Sequence, residues 1–183
     1  MTPFELRTER LVLDQPSGAD VDAITEYCQD PLFERFLTTP WPYRRADAEF
    51  FVHDFVPTGW ASDRELTWAL RLAGERELLG VLGFRAARAD LGYWLGAPHR
   101  GRGYMPEAVR AVTTWALSAG HFRIGWECVV GNVASAAVAR KAGFAYTGEA
   151  PSTASFRDGS RPLSWHGVLA TTPIPDALPW PIP

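Results

Sequence analysis

The sequence predicts a single domain of the α/β (α+β) class, with a mixed, mostly antiparallel twisted sheet flanked by helices. Three observations carry that expectation. Segments of strict apolar alternation recur along the chain, as in residues 66–72 and 122–131. Segments with apolar residues at helical spacing fall between some of them. One stretch, residues 91–130, reads as strand, glycine loop, helix, strand. A helical crossover makes its two strands parallel neighbours.

Residues 10–15 alternate and read as the first strand. A helix follows, with Ser17 or Asp20 at its start and Val21, Ile24 and Cys28 on one face. Residues 38–45 form a loop stiffened by Trp41 and Pro42, and a further helix follows from about Ala46. Residues 66–72 place Leu66, Trp68, Leu70 and Leu72 on one side of a strand. Residues 75–84 are its hairpin partner, turning near Gly74. Residues 91–96 form another strand. Met105, Ala108, Val109, Val112, Trp115 and Ala116 then repeat at helical spacing, with Gly120 as the stop. Residues 122–131 alternate again, with Ile124, Trp126 and Cys128 on one face and Glu127 on the other. A short helix starts at Asn132 and stops at Gly143. Two final strands lie over 145–150 and 163–171, linked through Asp158-Gly159. The domain is expected to span 1–171; the proline-rich segment 172–183 is a tail unsuited to helix or central strand.

Composition narrows the function. With 183 residues and 46% hydrophobic content, the chain can bury a substantial core. A net charge of −3 argues against a nucleic-acid partner. No apolar run approaches the ~20 residues needed to span a bilayer, and MTPFELRTER lacks a secretory core. Two cysteines with no Cys-x-x-Cys, and four scattered histidines, predict a reduced cytoplasmic protein without a metal. Monomer and homodimer both stay open.

The sharpest local feature is HRGRGYMPEA, residues 99–108. The first turn of a helix carries N–H groups without partners, backed by the positive end of its dipole. Gly101 and Gly103 let an anion approach those amides, and Arg100 and Arg102 add charge. The spacing lacks the third glycine of a dinucleotide fingerprint, and there is no nucleotide P-loop. A phosphate or pyrophosphate ligand and a plain loop are the two readings of these residues.

Taken together, RGRGYMPEA after LGYWLG, and NVASAAVARKAGF after the strand containing WECVV, resemble the GNAT superfamily of acyl-CoA-dependent N-acetyltransferases. The branch most similar is that of the ribosomal-protein N-terminal acetyltransferases; TERLVLDQPSGADVDAI and PWPYRRADAEFF resemble its N-terminal region. The resemblance implies acetyl-CoA as co-substrate, held in a splayed parallel strand pair. It also implies an amine acceptor, either a protein N-terminus or a small molecule such as an antibiotic or polyamine. The backbone of Arg100, Gly101, Arg102, Gly103, Tyr104 and Met105 would meet the pyrophosphate. Met105 departs from the usual glycine or alanine, and Pro106 donates no N–H. Asn132 would reach the pantetheine arm while also capping its helix. Lys141 would approach the adenosine phosphates, or lie on a solvated face. A backbone N–H near Trp94 or Leu95 would serve the oxyanion.

Acetyl transfer needs a neutral amine, an oxyanion donor and a protonated leaving group. The resemblance makes Glu127 the expected base, with an arginine-paired strand carboxylate as its alternative. The tyrosine that some relatives use as acid is Ala139 here, and Ser135 is the substitute, or simply a small first-turn residue. Trp41, Tyr43 and His166 are expected to line the acceptor side, against core packing as the ordinary reading. A domain that binds acyl-CoA without turnover, as a sensor or interaction module, is the competing function.

Overall fold

The computed structural model describes residues 1–175 and 177–182. Eight strands form one sheet in the order β1-β2-β3-β4-β5-β6-β8-β7. They are β1 (Leu6–Arg7), β2 (Leu11–Asp14), β3 (Glu65–Leu72), β4 (Gly80–Arg85), β5 (Asp90–Leu95), β6 (Arg123–Val129), β7 (Ala145–Pro151) and β8 (Leu163–Ala170). Every pairing is antiparallel except β5 with β6. The crossover that makes this pair parallel is α5 (Tyr104–Ser118), as the strand–loop–helix–strand pattern requires.

Helices cover both faces. On one face α5 and α6 (Val133–Ala142) pack on a core containing Trp68, Leu82, Phe84, Leu91, Val109, Val112 and Trp126. On the other, α1 (Val21–Tyr27), α2 (Pro31–Phe36) and α3 (Arg45–Phe50) build a second cluster with Ile24, Phe33, Tyr43, Ala69 and Val81. Two-sided burial explains why β3 is buried at both odd and even positions and not on one face alone. The expected helix after residue 46 is longer than its pattern suggests. It continues through a π turn at Phe51–Phe55 into α4 (Val56–Ala61). The first helix stops at Tyr27, and Asp30 caps a further helix that the pattern did not mark, accepting from Leu32 N–H at 2.9 Å, with Pro31 at its first position.

The glycine and asparagine signals act where expected. Gly143 takes φ +95° after α6, and Gly120 takes φ +98° after α5. The tail folds back on its own domain. Leu178 N–H donates to Tyr146 O at 2.8 Å, Trp180 packs against both Trp126 and Tyr146 at 5.7 Å, and Ile182 is buried. Asp176 and Pro183, also in that tail, lie outside the described residues.

One buried polar cluster fixes the start of α1 to the sheet. Arg71 on β3 donates to both oxygens of Asp20 at 2.7 and 2.8 Å, and through Nε to Asp14 at 2.9 Å. Burial alone would raise the Asp20 carboxyl, but hydrogen bonds from Arg71 and Ser17 outweigh it and hold the carboxyl below its ordinary range. A depressed carboxyl contributes stability above its unfolded value near ~3.9 and loses it as pH falls through the folded value. Asp20→Ala leaves Arg71 short of a partner and is expected to cost about 3 kcal/mol in urea unfolding. The gap to wild type should shrink below about pH 4; a gap independent of pH would show that the ion pair is not its source.

Candidate active site

The β5–β6 ladder is short. Asp90 pairs with Gly125 and Leu91 with Trp126, and there the pairing ends. Beyond it the strands diverge and leave main-chain groups of β5 facing a gap. Alternation decides which ones. Gly96 N–H donates to Leu79 O, so Trp94 and Gly92 turn their main chain towards β4, where Trp94 pairs with Val81. Tyr93 and Leu95 therefore face the gap. Of the two amides named from the sequence, that of Leu95 is the one on the gap side. Trp94 is corrected: its amide belongs to the ladder, and its ring packs edge-on against Tyr27 and Phe33 in the other core.

The glycine loop sits at the open end of this gap. Gly101 and Gly103 have φ of +78° and +79°, which glycine adopts without strain. Among the described residues, no acceptor takes the N–H of Gly101, Gly103, Tyr104 or Met105. A side chain added at Gly101 would meet nothing within 4 Å, so the approach is open. Met105 contributes its amide but sends its side chain into the core. The Arg100 guanidinium is committed elsewhere: Nε donates to Leu95 O at 3.1 Å and Nη1 to Asp30 at 2.7 Å. It braces the loop instead of pointing at an anion. Arg102 is exposed and makes no side-chain bond among the described residues. Arg10, which the sequence pattern did not mark, braces the loop from below. It bonds Arg102 O at 3.1 Å and Glu107 at 2.7 Å, and lies 5.0 Å over the Tyr104 ring.

On the α6 side, Asn132 Oδ1 caps the helix by accepting from Ser135 N–H at 3.1 Å. Its amide nitrogen makes no bond among the described residues. Ser135 Oγ accepts from Trp126 Nε1 at 3.2 Å and lies 3.3 Å from the Tyr93 hydroxyl, which donates to Ser135 O at 3.1 Å. Tyr93 went unmarked in the sequence. Its position in a strand is legible there, but the residue that it meets is 42 positions away. Burial pushes its phenol pKa up, so the proton stays on. Ala139 is buried and supplies no acid. Cys128 is also buried, its thiol pushed up to about 12, and is no nucleophile.

The same cavity opens through the sheet to the opposite face, where Glu127 lies. Its oxygens accept from Ser152 Oγ at 3.2 Å and Thr153 N–H at 3.0 Å, with Arg88 3.8 Å and His166 Nδ1 3.7 Å away. Burial opposes ionisation, but the Thr153 bonds, His166 and Ser152 together hold the carboxyl below its usual range. His166 is the direct cross-strand partner of Glu127. Gly92 and Arg85 form part of the floor, Phe36, Leu37 and Thr38 one wall, and Ser152, Ala154 and Phe156 the other. Arg157 ties the walls together, donating to Leu37 O at 2.8 Å, Thr39 O at 2.5 Å and also Glu34 O.

Of the expected residues, Glu127, Asn132 and Ser135 line this cavity; Trp94, Leu95, the loop from Arg100 to Met105, His166, Lys141, Trp41 and Tyr43 do not. Lys141 is exposed on the last turn of α6, its carbonyl bonded by Arg110, about 10 Å along α5 from Gly103. Tyr43 is buried in the second core beneath the α2–α3 loop, and Trp41 packs partly buried against the same core. Among the described residues, no group of three His, Cys, Asp or Glu is placed to hold a metal, and no helix is long and apolar enough to cross a membrane.

Comparison with known proteins bears on this arrangement. The family model described as Acetyltransferase (GNAT) domain matches residues 10–145. The chain is 28% identical over 145 residues to Uncharacterized N-acetyltransferase YoaA of Bacillus subtilis (strain 168), covering 76% of this chain and 81% of that protein. The structure of a putative ribosomal-protein-serine acetyltransferase from Vibrio cholerae superposes with a TM-score of 0.79 at 22% identity, over 93% of this chain and 99% of that one. The self immunity acetyltransferase MccE, solved in complex with acetyl-CoA and AMP, gives 0.74 at 19% identity over 89% and 93%. These structural likenesses carry the fold; the family match covers most of the chain and carries more. The chain belongs to the GNAT acetyltransferase family, and its activity is acetyl-CoA-dependent N-acetyl transfer.

Proposed function

We propose that the gap between β5 and β6 is the reaction chamber, with acetyl-CoA entering from the α5–α6 side and a primary amine from the Glu127 side. One observation carries this reading. A single cavity passes through the sheet, lined by Tyr93, Trp126, Asn132 and Ser135 at one end and by Gly92, Glu127 and Ser152 at the other. The acceptor is a small-molecule amine or a protein N-terminal α-amine, and the cytoplasm is the proposed place of action. Buried, unpaired Cys28 and Cys128 suit a reducing compartment.

The residues fit acetyl-CoA. Unpartnered amides at Gly101, Gly103, Tyr104 and Met105 suit a pyrophosphate, with Arg102 as the nearby mobile charge. The cleft-facing main chain of Tyr93 and the N–H of Leu95 suit an amide-bearing arm lying beside them as a strand would. The Asn132 side-chain nitrogen is available to the same arm, and Lys141 to the outer phosphates. Bound acetyl-CoA supplies the activated acyl thioester.

The chain's own residues do the rest. Glu127 is held in its ionised form, so it attracts an incoming ammonium, which gives one proton to water before the neutral amine attacks. The carboxylate is a weak base, because Thr153 and Ser152 stabilise its charged form. It becomes effective as the C–N bond forms, when the nitrogen's protons turn strongly acidic; a water or His166 can complete the relay. The N–H groups of Tyr93 and Leu95 are the donors available to an oxygen gaining charge. Ser135, held by Trp126 and Tyr93, is the proton source for the departing sulfur, with the Tyr93 hydroxyl behind it.

Mixing the protein with acetyl-CoA and a panel of primary amines should release thiol at a rate that saturates in both; silence across the panel would reject the chamber. Glu127→Gln should lower kcat about 100-fold while the acetyl-CoA dissociation constant, read by calorimetry, stays put. A variant that lost both equally would speak for a structural role. Gly103→Val forces a β-branched residue to positive φ at the helix start. It should weaken acetyl-CoA binding about tenfold or more, and unaltered binding would move the pyrophosphate elsewhere.

A further inference from the structure

We infer that the acceptor is a small α-amino acid-like molecule, whose amine meets Glu127 and whose carboxylate meets Arg85. This rests on the reading of the cleft as the acceptor chamber and goes beyond it by naming the substrate class.

Arg85 ends β4 and lines the same cavity as Glu127. Two of its three nitrogens are spoken for. Nε donates to Asp90 Oδ1 at 2.6 Å and Nη2 to Leu91 O at 3.1 Å. Nη1 has no partner among the described residues. It lies over Gly92, only 3.0 Å from where a side chain there would begin. The guanidinium is thus fixed in orientation, and one edge stays open towards the cavity. A preorganised arginine with an open edge is suited to a planar oxygen pair.

The surrounding groups favour a zwitterion over a plain ammonium. Asp90 bridges the two arginines, taking Arg85 on Oδ1 and Arg88 on Oδ2 at 2.6 Å. Arg88 in turn stands 3.8 Å from Glu127. Glu65, the cross-strand partner of Arg85, lies outside the cavity lining with its carboxyl across Gly83; burial pushes that carboxyl up and the Arg85 charge opposes the shift. Asp90 and Glu65 already offset the Arg85 charge, so what Arg85 offers is unfilled N–H donors: a positive amine finds Glu127 at one side of the cavity and leaves the Nη1 edge without an acceptor. A molecule with a carboxylate beside its amine answers both.

The walls favour something small. Arg157 joins the segment of Leu37 and Thr39 to the β7–β8 loop, bridging the two sides of the mouth. A free amino acid clears this bridge, whereas the N-terminus of a folded protein has to pass its whole leading segment beneath it.

The test compares matched acceptors by thiol release at saturating acetyl-CoA. Each common amino acid is set against its carboxamide, its decarboxylated amine and a peptide beginning with it. The inference expects at least one amino acid to exceed its own amide and amine by about 10- to 100-fold in kcat/KM. In Arg85→Gln that ratio should fall to within about threefold, through KM for the amino acid. Arg85→Lys, which keeps the charge but loses the fork, should fall between the two. Circular dichroism establishes that both variants fold. A merely structural Arg85 would lower every acceptor alike and preserve the ratio, which overturns the inference. So does equal use of amine and amino acid, or turnover confined to peptides, and both leave the acetyltransferase chamber standing. If no amino acid reacts the inference falls; turnover of other amines and acetyl-CoA binding by calorimetry then report separately on the chamber.

Discussion

The early end of one hydrogen-bond ladder governs the rest of this molecule. After Leu91–Trp126 the parallel strands part, and three consequences follow together. The main chain of Tyr93 and the N–H of Leu95 lose their sheet partner and become available to a ligand, while the Leu95 carbonyl is taken by Arg100. The sheet, otherwise sealed between two helical layers, acquires a passage from one face to the other. The N-termini of α5 and α6 are set around that passage, each with its first-turn amides directed outward. A continuous ladder would satisfy the same backbone groups and leave no chamber. The opening is therefore exchanged against pairing energy that the long β3–β4 and β6–β8 ladders supply elsewhere.

Holding such an opening in shape needs bracing, and the bracing is ionic. Arg100 links the Leu95 carbonyl to Asp30, so the end of β5 and the first turn of α2 move as one piece. Arg10 links the loop carbonyl of Arg102 to Glu107 on α5. Glu107, like Asp30, is kept ionised below its normal range because these bonds outweigh burial. The glycine loop is consequently flexible in what its amides can accept but not in where it sits. That division matters for catalysis, which loses rate steeply when reacting groups are misplaced by an ångström.

Local grammar made much of this legible in the sequence. Alternation marked β2, β3, β5 and β6. Asn132 and Gly143 marked α6, and the glycine loop marked the unpartnered amides at the start of α5. Less visible were features created by distant meetings. Tyr93 reads as one aromatic among several in LGYWLG until the fold sets it against Ser135. Arg85 and Arg10 carry no motif, since an arginine is ordinary at a strand end, and only the tertiary partners give them work. Trp94 shows the reverse error. The resemblance left Trp94 or Leu95 open as the amide, and alternation sends successive residues to opposite neighbours. The role of Arg100 changed for a similar reason: the pattern fixed its place in the loop, and Asp30, 70 residues away, fixed its direction.

The returning tail has a colloidal consequence. β7 is the outermost strand, and an outer strand offers a template on which another molecule can polymerise. Leu178 occupies that template at Tyr146 through a single bridge, while Pro173, Pro175, Pro179 and Pro181 flank it without amide hydrogens to extend the ladder. Trp180 meanwhile shields Trp126 and Tyr146 from water. The segment thereby covers part of an edge on which another chain would otherwise be able to pair.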